Sequence, residues 1–197
     1  MNSAEVNIIV EGYTEQTFIR SVLAPEMANK GLYLYPVLIG NPGHKGGNIH
    51  FNRAKSDIEK LLKQRSDTYI STMFDYFRID ENWPGKNKVD SKIQTGAVLT
   101  SSKKAKILER ATTKKIVNSY SSHQAQNRFI PYIEMHEFEA LLFSNPAILA
   151  DAIDVEQSKI EQIVENFDDP EEINDDPATA PSQRLENLTE NKYRKIF

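Results

Sequence analysis

Residues 6–15 read VNIIVEGYTE, and this stretch decides the fold. Val6 to Val10 is a short apolar run rich in β-branched residues, the mark of a buried strand. A Glu-Gly pair ends it. Phe18, Ile19, Val22 and Leu23 then recur at helical spacing. Thr14 is the expected N-cap, with Glu15 and Thr17 in the first turn. Gly31 is the expected stop, since glycine readily takes the left-handed cap conformation. A buried strand feeding directly into a helix is the opening of a parallel α/β layer.

The pattern repeats downstream. Leu32 to Ile39 (LYLYPVLI) reads as a second strand, and Pro36 places it at an edge or a bulge. Gly40 to Gly47 (GNPGHKGG) is a glycine-rich loop. Asn52 to Gln64 is a helix with Ile58, Leu61 and Leu62 on one face. Tyr69 to Phe74 is a third strand, ending at Asp75. Tyr76 to Leu99 lacks periodicity, and Pro84-Gly85 marks a turn. Lys103 to Ser119 is helical, with Ala105, Leu108, Ile116 and Val117 as its buried positions. Phe129 to Met135 is a fourth strand, and Glu137 to Phe143 a short helix. The expected fold is α/β: a mainly parallel four-stranded sheet flanked by helices, over residues 1–145. An acidic helical extension, 146–197, follows.

Composition narrows the chemistry. The chain has 197 residues and no cysteine. Disulfides, thiolate zinc sites and cysteine nucleophiles are excluded, and a reducing cytoplasm is the expected location. No apolar run reaches the ~20 residues that span a bilayer, so no membrane association is expected. The net charge of −4 conceals segregation. Residues 1–150 hold 19 Lys and Arg against 15 Asp and Glu, whereas 151–176 hold one against 11. A nucleic-acid partner therefore stays open despite the acidic total.

Ligands of open parallel sheets bind beyond the carboxyl ends of the strands. Glu11 and Glu15 follow the first strand, Asp75 the third, and Glu134, His136, Glu137 and Glu139 the fourth. Carboxylates gathered on one edge repel unless a cation offsets them. An oxygen-rich, cysteine-free set of this kind suits Mg²⁺ or Mn²⁺. Glu11, Asp75, Glu137 and Glu139 are the candidate ligands, and Glu11, Glu15 and Asp75 the candidate catalytic acids. For Glu15 the simpler role is a favourable charge in a helix first turn. His136 and Glu139 would share a helical face, as a metal pair or an exposed ion pair. His44, His50 and His123 are isolated in sequence and fit surface or turn roles. The backbone of Gly12, Gly46 and Gly47 can cradle a phosphate, although GxxxxGK[ST] is absent.

Arg78 to Lys115 holds ten basic and four acidic residues. Such a segment beside a metal centre suits a phosphodiester, DNA or RNA, with Lys45, Arg78, Lys103 and Lys104 as candidate contacts. A solvated helix face is the competing explanation. Trp83 fits packing beneath the long loop better than base stacking.

A strand ending in Glu-Gly-x-Thr-Glu, with an Asp after a later strand, resembles the Toprim superfamily of topoisomerases, primases, small-RNA maturases and overcoming-lysogenization-defect nucleases. More closely, the sequence resembles a Toprim-related family known as domain of unknown function 4276. The matching stretches are VEGYTEQTFIRSVLAP (10–25), LYPVLIGNPGHKGG (34–47), STMFDYF (71–77), FIPYIEMHEFEALLFS (129–144) and DDPEEINDDPATAPSQRL (168–185). The resemblance implies a Toprim-like Rossmannoid sheet, Glu11 as the characteristic glutamate and Asp75 as the first acid of a DxD pair. Phe77 stands where the second acid would be, so Asp80, Glu137 or Glu139 would supply that oxygen. It also implies further C-terminal helices, a neighbouring ATPase of the AAA or ABC-like kind, and gene pairs resembling phage-defence systems. The expected activity is a metal-dependent nuclease or phosphotransferase. The alternative is a non-catalytic interaction subunit.

Overall fold

A computed structural model describes residues 3–40, 49–167, 173 and 180–190. The chain divides into two compact units, Met1–Glu134 and Met135–Ile196.

The first unit is the α/β layer. β1 (Ala4–Val10) runs into α1 (Tyr13–Phe18), a π-helical turn (Ile19–Leu23) and α2 (Ala24–Ala28). The wide turn sits directly ahead of Pro25, which has no N–H for an α-helical bond; Ala24 N–H reaches back to the Ile19 carbonyl instead. Gly31, at φ 78°, closes the segment as expected. β2 (Leu32–Leu38), α3 (Phe51–Gln64) and β3 (Tyr69–Asp75) follow. Next come α4 (Lys86–Gln94), α5 (Ser101–Tyr120), a 3₁₀ turn (Ser121–His123) and α6 (Ala125–Arg128). β4 (Phe129–Ile130) and β5 (Ile133–Glu134) complete the sheet.

All strand pairs are parallel, in the order β2-β1-β3-β4, with β5 also on β3. Pro36 lies on the edge strand, where its missing N–H costs no ladder bond. Alternation along β1 sends Ile8 and Val10 to one face, where they pack with Ile19, Phe18 and Leu23 of the first helical segment. Ile9 and its register neighbour Thr72 turn to the other face, with Ile70 and Phe74. There Trp83 is 1% exposed and meets Phe51 and Phe74 edge-on, and its Nε1 donates to Thr112 Oγ1 at 3.0 Å. Trp83 is thus a packing residue. The buried guanidinium of Arg128 donates to the carbonyls of Leu62, Arg65, Thr68 and His123, tying the end of α3 to the start of β3.

Two elements differ from the sequence expectation. α4 falls in the stretch read as aperiodic. Gly85 starts it at φ 91°, and a Cβ there would lie 3.0 Å from the Ala111 Cβ and the Ile107 carbonyl. Only glycine combines that φ with that closeness to α5. The single fourth strand is instead two, separated by Pro131 and Tyr132. Across the gap the Thr72 hydroxyl donates to the Tyr132 carbonyl at 2.9 Å and accepts from its N–H at 3.0 Å. Pairing on either side keeps one offset of 59 residues, so no residue is inserted.

The second unit is helical: a 3₁₀ helix (Phe138–Ser144), α7 (Pro146–Ile153), α8 (Gln157–Val164) and α9 (Pro181–Leu188). Phe143, Leu149, Ala150, Ile160, Ile173 and Leu185 form its core. His136 precedes the 3₁₀ helix rather than sharing a helical face with Glu139, and both are buried, so an exposed ion pair is ruled out. Among the described residues, no helix is long and apolar enough to cross a membrane.

Thr72→Val removes a hydroxyl that is 1% exposed and satisfies two backbone groups. Its expected cost is about 1–3 kcal/mol, read from the urea unfolding midpoint; an unchanged midpoint refutes the bridging role. Tyr120 donates to Glu59 Oε2 at 3.0 Å, and burial, then that bond, pushes its hydroxyl up to about 12. The protonated hydroxyl stabilises the fold fully below the ordinary tyrosine value of ~10. That contribution is lost as pH rises from there through 12. In an ultraviolet phenolate titration, one of eight tyrosines should lag, and Tyr120→Phe should abolish the lag.

Candidate functional site

The strand order singles out the pair β1 and β3. The chain leaves β1 toward β2 on one side and leaves β3 toward β4 on the other. Neighbouring strands with connections diverging in this way form a topological switch point, where open parallel sheets bind ligands. Helices cover both faces, as two crossovers of the same hand running in opposite directions require. Glu11 follows β1 at this point, and Asp75 ends β3.

Cations of the chain itself balance these carboxylates. Arg78 Nε stands 2.9 Å from Glu11 Oε1, and both side chains are largely buried, 29% and 18% exposed. Asp75 Oδ1 accepts the Phe77 N–H at 2.8 Å, and the Asp75 carbonyl accepts from Arg78 and Ile79. These bonds turn the chain so that Arg78 reaches back to Glu11. Glu134 is in register with Asp75, is 7% exposed, and accepts the Tyr132 hydroxyl at 2.6 Å. Lys86, first residue of α4, lies 3.5 Å from the centre of the Tyr76 ring and donates to the Tyr76 carbonyl at 3.3 Å. Burial lowers its pKa, against the attraction of the Asp90 and Asp75 carboxylates. Lys104 stands 5.9 Å from the same ring. Lys103 is exposed, on the solvent side of α5.

Glu15 Oε2 accepts the Gly12 N–H at 3.0 Å. Gly12 rather than Thr14 is therefore the N-cap, and Glu15, three residues on, closes the helix start. That N–H is accordingly engaged within the chain. Lys45, Gly46 and Gly47, with His44, lie outside the described residues. The glycine-rich loop begins at Gly40, whose N–H donates to Asp57 at 2.8 Å. Glu137 and Glu139 belong to the second unit. There Glu137 Oε2 accepts the Ser182 N–H at 2.9 Å, and Glu139 is 1% exposed.

Among the described residues, no group of three or more His, Asp or Glu is placed to hold a metal ion. Glu11 and Asp75 are the residues that would hold Mg²⁺ there, an ion that keeps several waters and is commonly held by one or two carboxylates plus substrate phosphates. Lys86 is one of ten basic residues in its segment, and composition does not set it apart. The signal that marks it is local: it directly follows the Pro84-Gly85 turn, at the start of a helix whose periodicity was too weak to read.

Glu15→Ala should lower stability by roughly 0.5–1 kcal/mol through loss of the helix-start bond and charge. The thermal unfolding midpoint checks this, and an unchanged midpoint refutes the helix-start role.

A model of one family, a domain of unknown function (DUF4276), matches residues 10–197. No curated protein and no solved structure gives a significant match. The match spans nearly the whole chain, through both compact units, and the chain belongs to the DUF4276 family.

Proposed function

We propose that the switch point between β1 and β3 processes nucleic-acid phosphodiesters as a Mg²⁺- or Mn²⁺-dependent nuclease or phosphotransferase. One observation carries this reading: Glu11 and Asp75 stand at the carboxyl ends of adjacent parallel strands, with Arg78 on Glu11 and Lys86 beside Tyr76. Arginine and lysine neutralise and orient a phosphate. Glu11 and Asp75 would hold the metal, whose chemistry there is charge stabilisation at phosphorus and a more acidic bound water. Lys104 and the exposed Lys103 extend the positive surface along α5 for a nucleic-acid backbone. The effector would act in the cytoplasm beside an AAA- or ABC-type ATPase in a defence system, as the family resemblance implies.

The Arg78–Glu11 pair also favours a second reading, a non-catalytic subunit whose degenerate site serves interaction with such an ATPase. One assay separates the two. Labelled single- and double-stranded DNA and RNA are incubated with Mg²⁺ and with Mn²⁺. Glu11→Ala and Asp75→Ala should each slow cleavage roughly 100-fold or more, equivalent to about 2.7 kcal/mol at the transition state. Cleavage unchanged in both variants refutes the nuclease. No cleavage by the wild type under any condition favours the interaction subunit.

A further inference from the structure

His50 and Asp80, 30 residues apart, form a pair that the site above does not use. His50 Nδ1 and Asp80 Oδ2 are 2.8 Å apart. The Asp80 side chain is 11% exposed and that of His50 is 72% exposed. With Nδ1 donating to the carboxylate, the neutral ring carries its free lone pair on Nε2. Among the described residues, the second oxygen of Asp80, Oδ1, is buried and finds no hydrogen-bond partner. A hydrogen bond to an imidazole that is 72% exposed contributes little to stability, and a buried oxygen without a partner opposes folding. A purely structural cap explains neither the burial of the acid nor the outward imidazole. A base held by a buried third group has both features.

The backbone fixes the pair beside the switch point. Ile49 and Ile79 form an isolated parallel bridge. Ile49 N–H donates to the Arg78 carbonyl at 2.6 Å, and Asp80 N–H donates to the Ile49 carbonyl at 3.0 Å. The His50 carbonyl accepts from Arg53 and Ala54, anchoring the residue to the start of α3. Arg78 thus touches both arrangements, through its carbonyl here and through its guanidinium at Glu11.

We propose that His50 is a catalytic base and Asp80 its positioning residue, acting on water at the switch point. This rests on the phosphodiester reading above. Nε2 takes a proton from a water whose oxygen forms the new bond to phosphorus. The bond from phosphorus to the leaving oxygen breaks. That oxygen keeps the electron pair and takes a proton from solvent, and the imidazolium returns its proton to solvent.

The test follows cleavage of the nucleic acid that the wild type cuts, and of bis(4-nitrophenyl) phosphate. His50→Ala should lower kcat roughly 100-fold, leave KM within about twofold, and recover in part when imidazole is added. Asp80→Asn should lower kcat without imidazole rescue. ¹⁵N spectra of the wild-type imidazole should show the proton on Nδ1. A His50→Ala variant with wild-type kcat, absent rescue, or a proton on Nε2 overturns the base assignment. In the first case, loss of cleavage in Glu11→Ala shows that the phosphodiester reading survives. A wild type that cleaves no substrate overturns both.

Discussion

The Thr72 hydroxyl is the contact on which the strand-end geometry depends. β3 pairs with β1 on one side and with two dipeptide strands on the other. Pro131 brings no N–H to the ladder and interrupts the second pairing. An insertion there would shift the chain by one residue and turn Glu134 to the opposite face. Thr72 occupies the gap, both donating to and accepting from Tyr132. The offset is preserved, and Glu134 arrives beside Asp75. A β-branched residue with a hydroxyl is nearly the only side chain that can pack on the sheet and also supply both bonds.

Charge at the strand ends follows from what comes after β3. Carboxylates at one edge repel, and the segment that follows β3 supplies compensation. Asp75 starts a turn through Phe77, and the turn brings Arg78 to Glu11. Trp83 anchors the following loop between Phe51 and Phe74, and Gly85 lets α4 begin close against α5. Lys86 is delivered to Tyr76 by that start. An apolar anchor and a glycine, neither of them chemically reactive, thus set the position of a cation.

The sequence shows much of this where a signal is local. VNIIV, Gly31 and Pro36 announce a buried strand, a helix stop and an edge, and each is where the residues place it. Glu15 as a helix-start charge is equally local. The missed features lack local signal. α4 is short and polar, with only Val89 buried, so it carries almost no apolar period. The break at Pro131 is hidden because the flanking residues keep strand composition and register. The His50–Asp80 pair joins residues 30 apart through a single bridge, and no spacing rule predicts it. The switch point depends on strand order, which periodicity cannot supply.

Arg78 sets a condition on any metal at Glu11. A guanidinium and a divalent cation compete for the same carboxylate, and like charges side by side repel. Displacing Arg78 alone would leave a largely buried cation without its anion, which is costly. A phosphodiester removes that cost, because its two non-bridging oxygens offer the planar guanidinium of Arg78 a bidentate acceptor in exchange. The same phosphate supplies the oxygens that a two-carboxylate Mg²⁺ site lacks. On the phosphodiester reading, metal and substrate therefore favour each other's binding, and by linkage each raises the other's affinity by the same factor. On that reading the metal is held weakly until the substrate is present, because Arg78 otherwise keeps the Glu11 carboxylate.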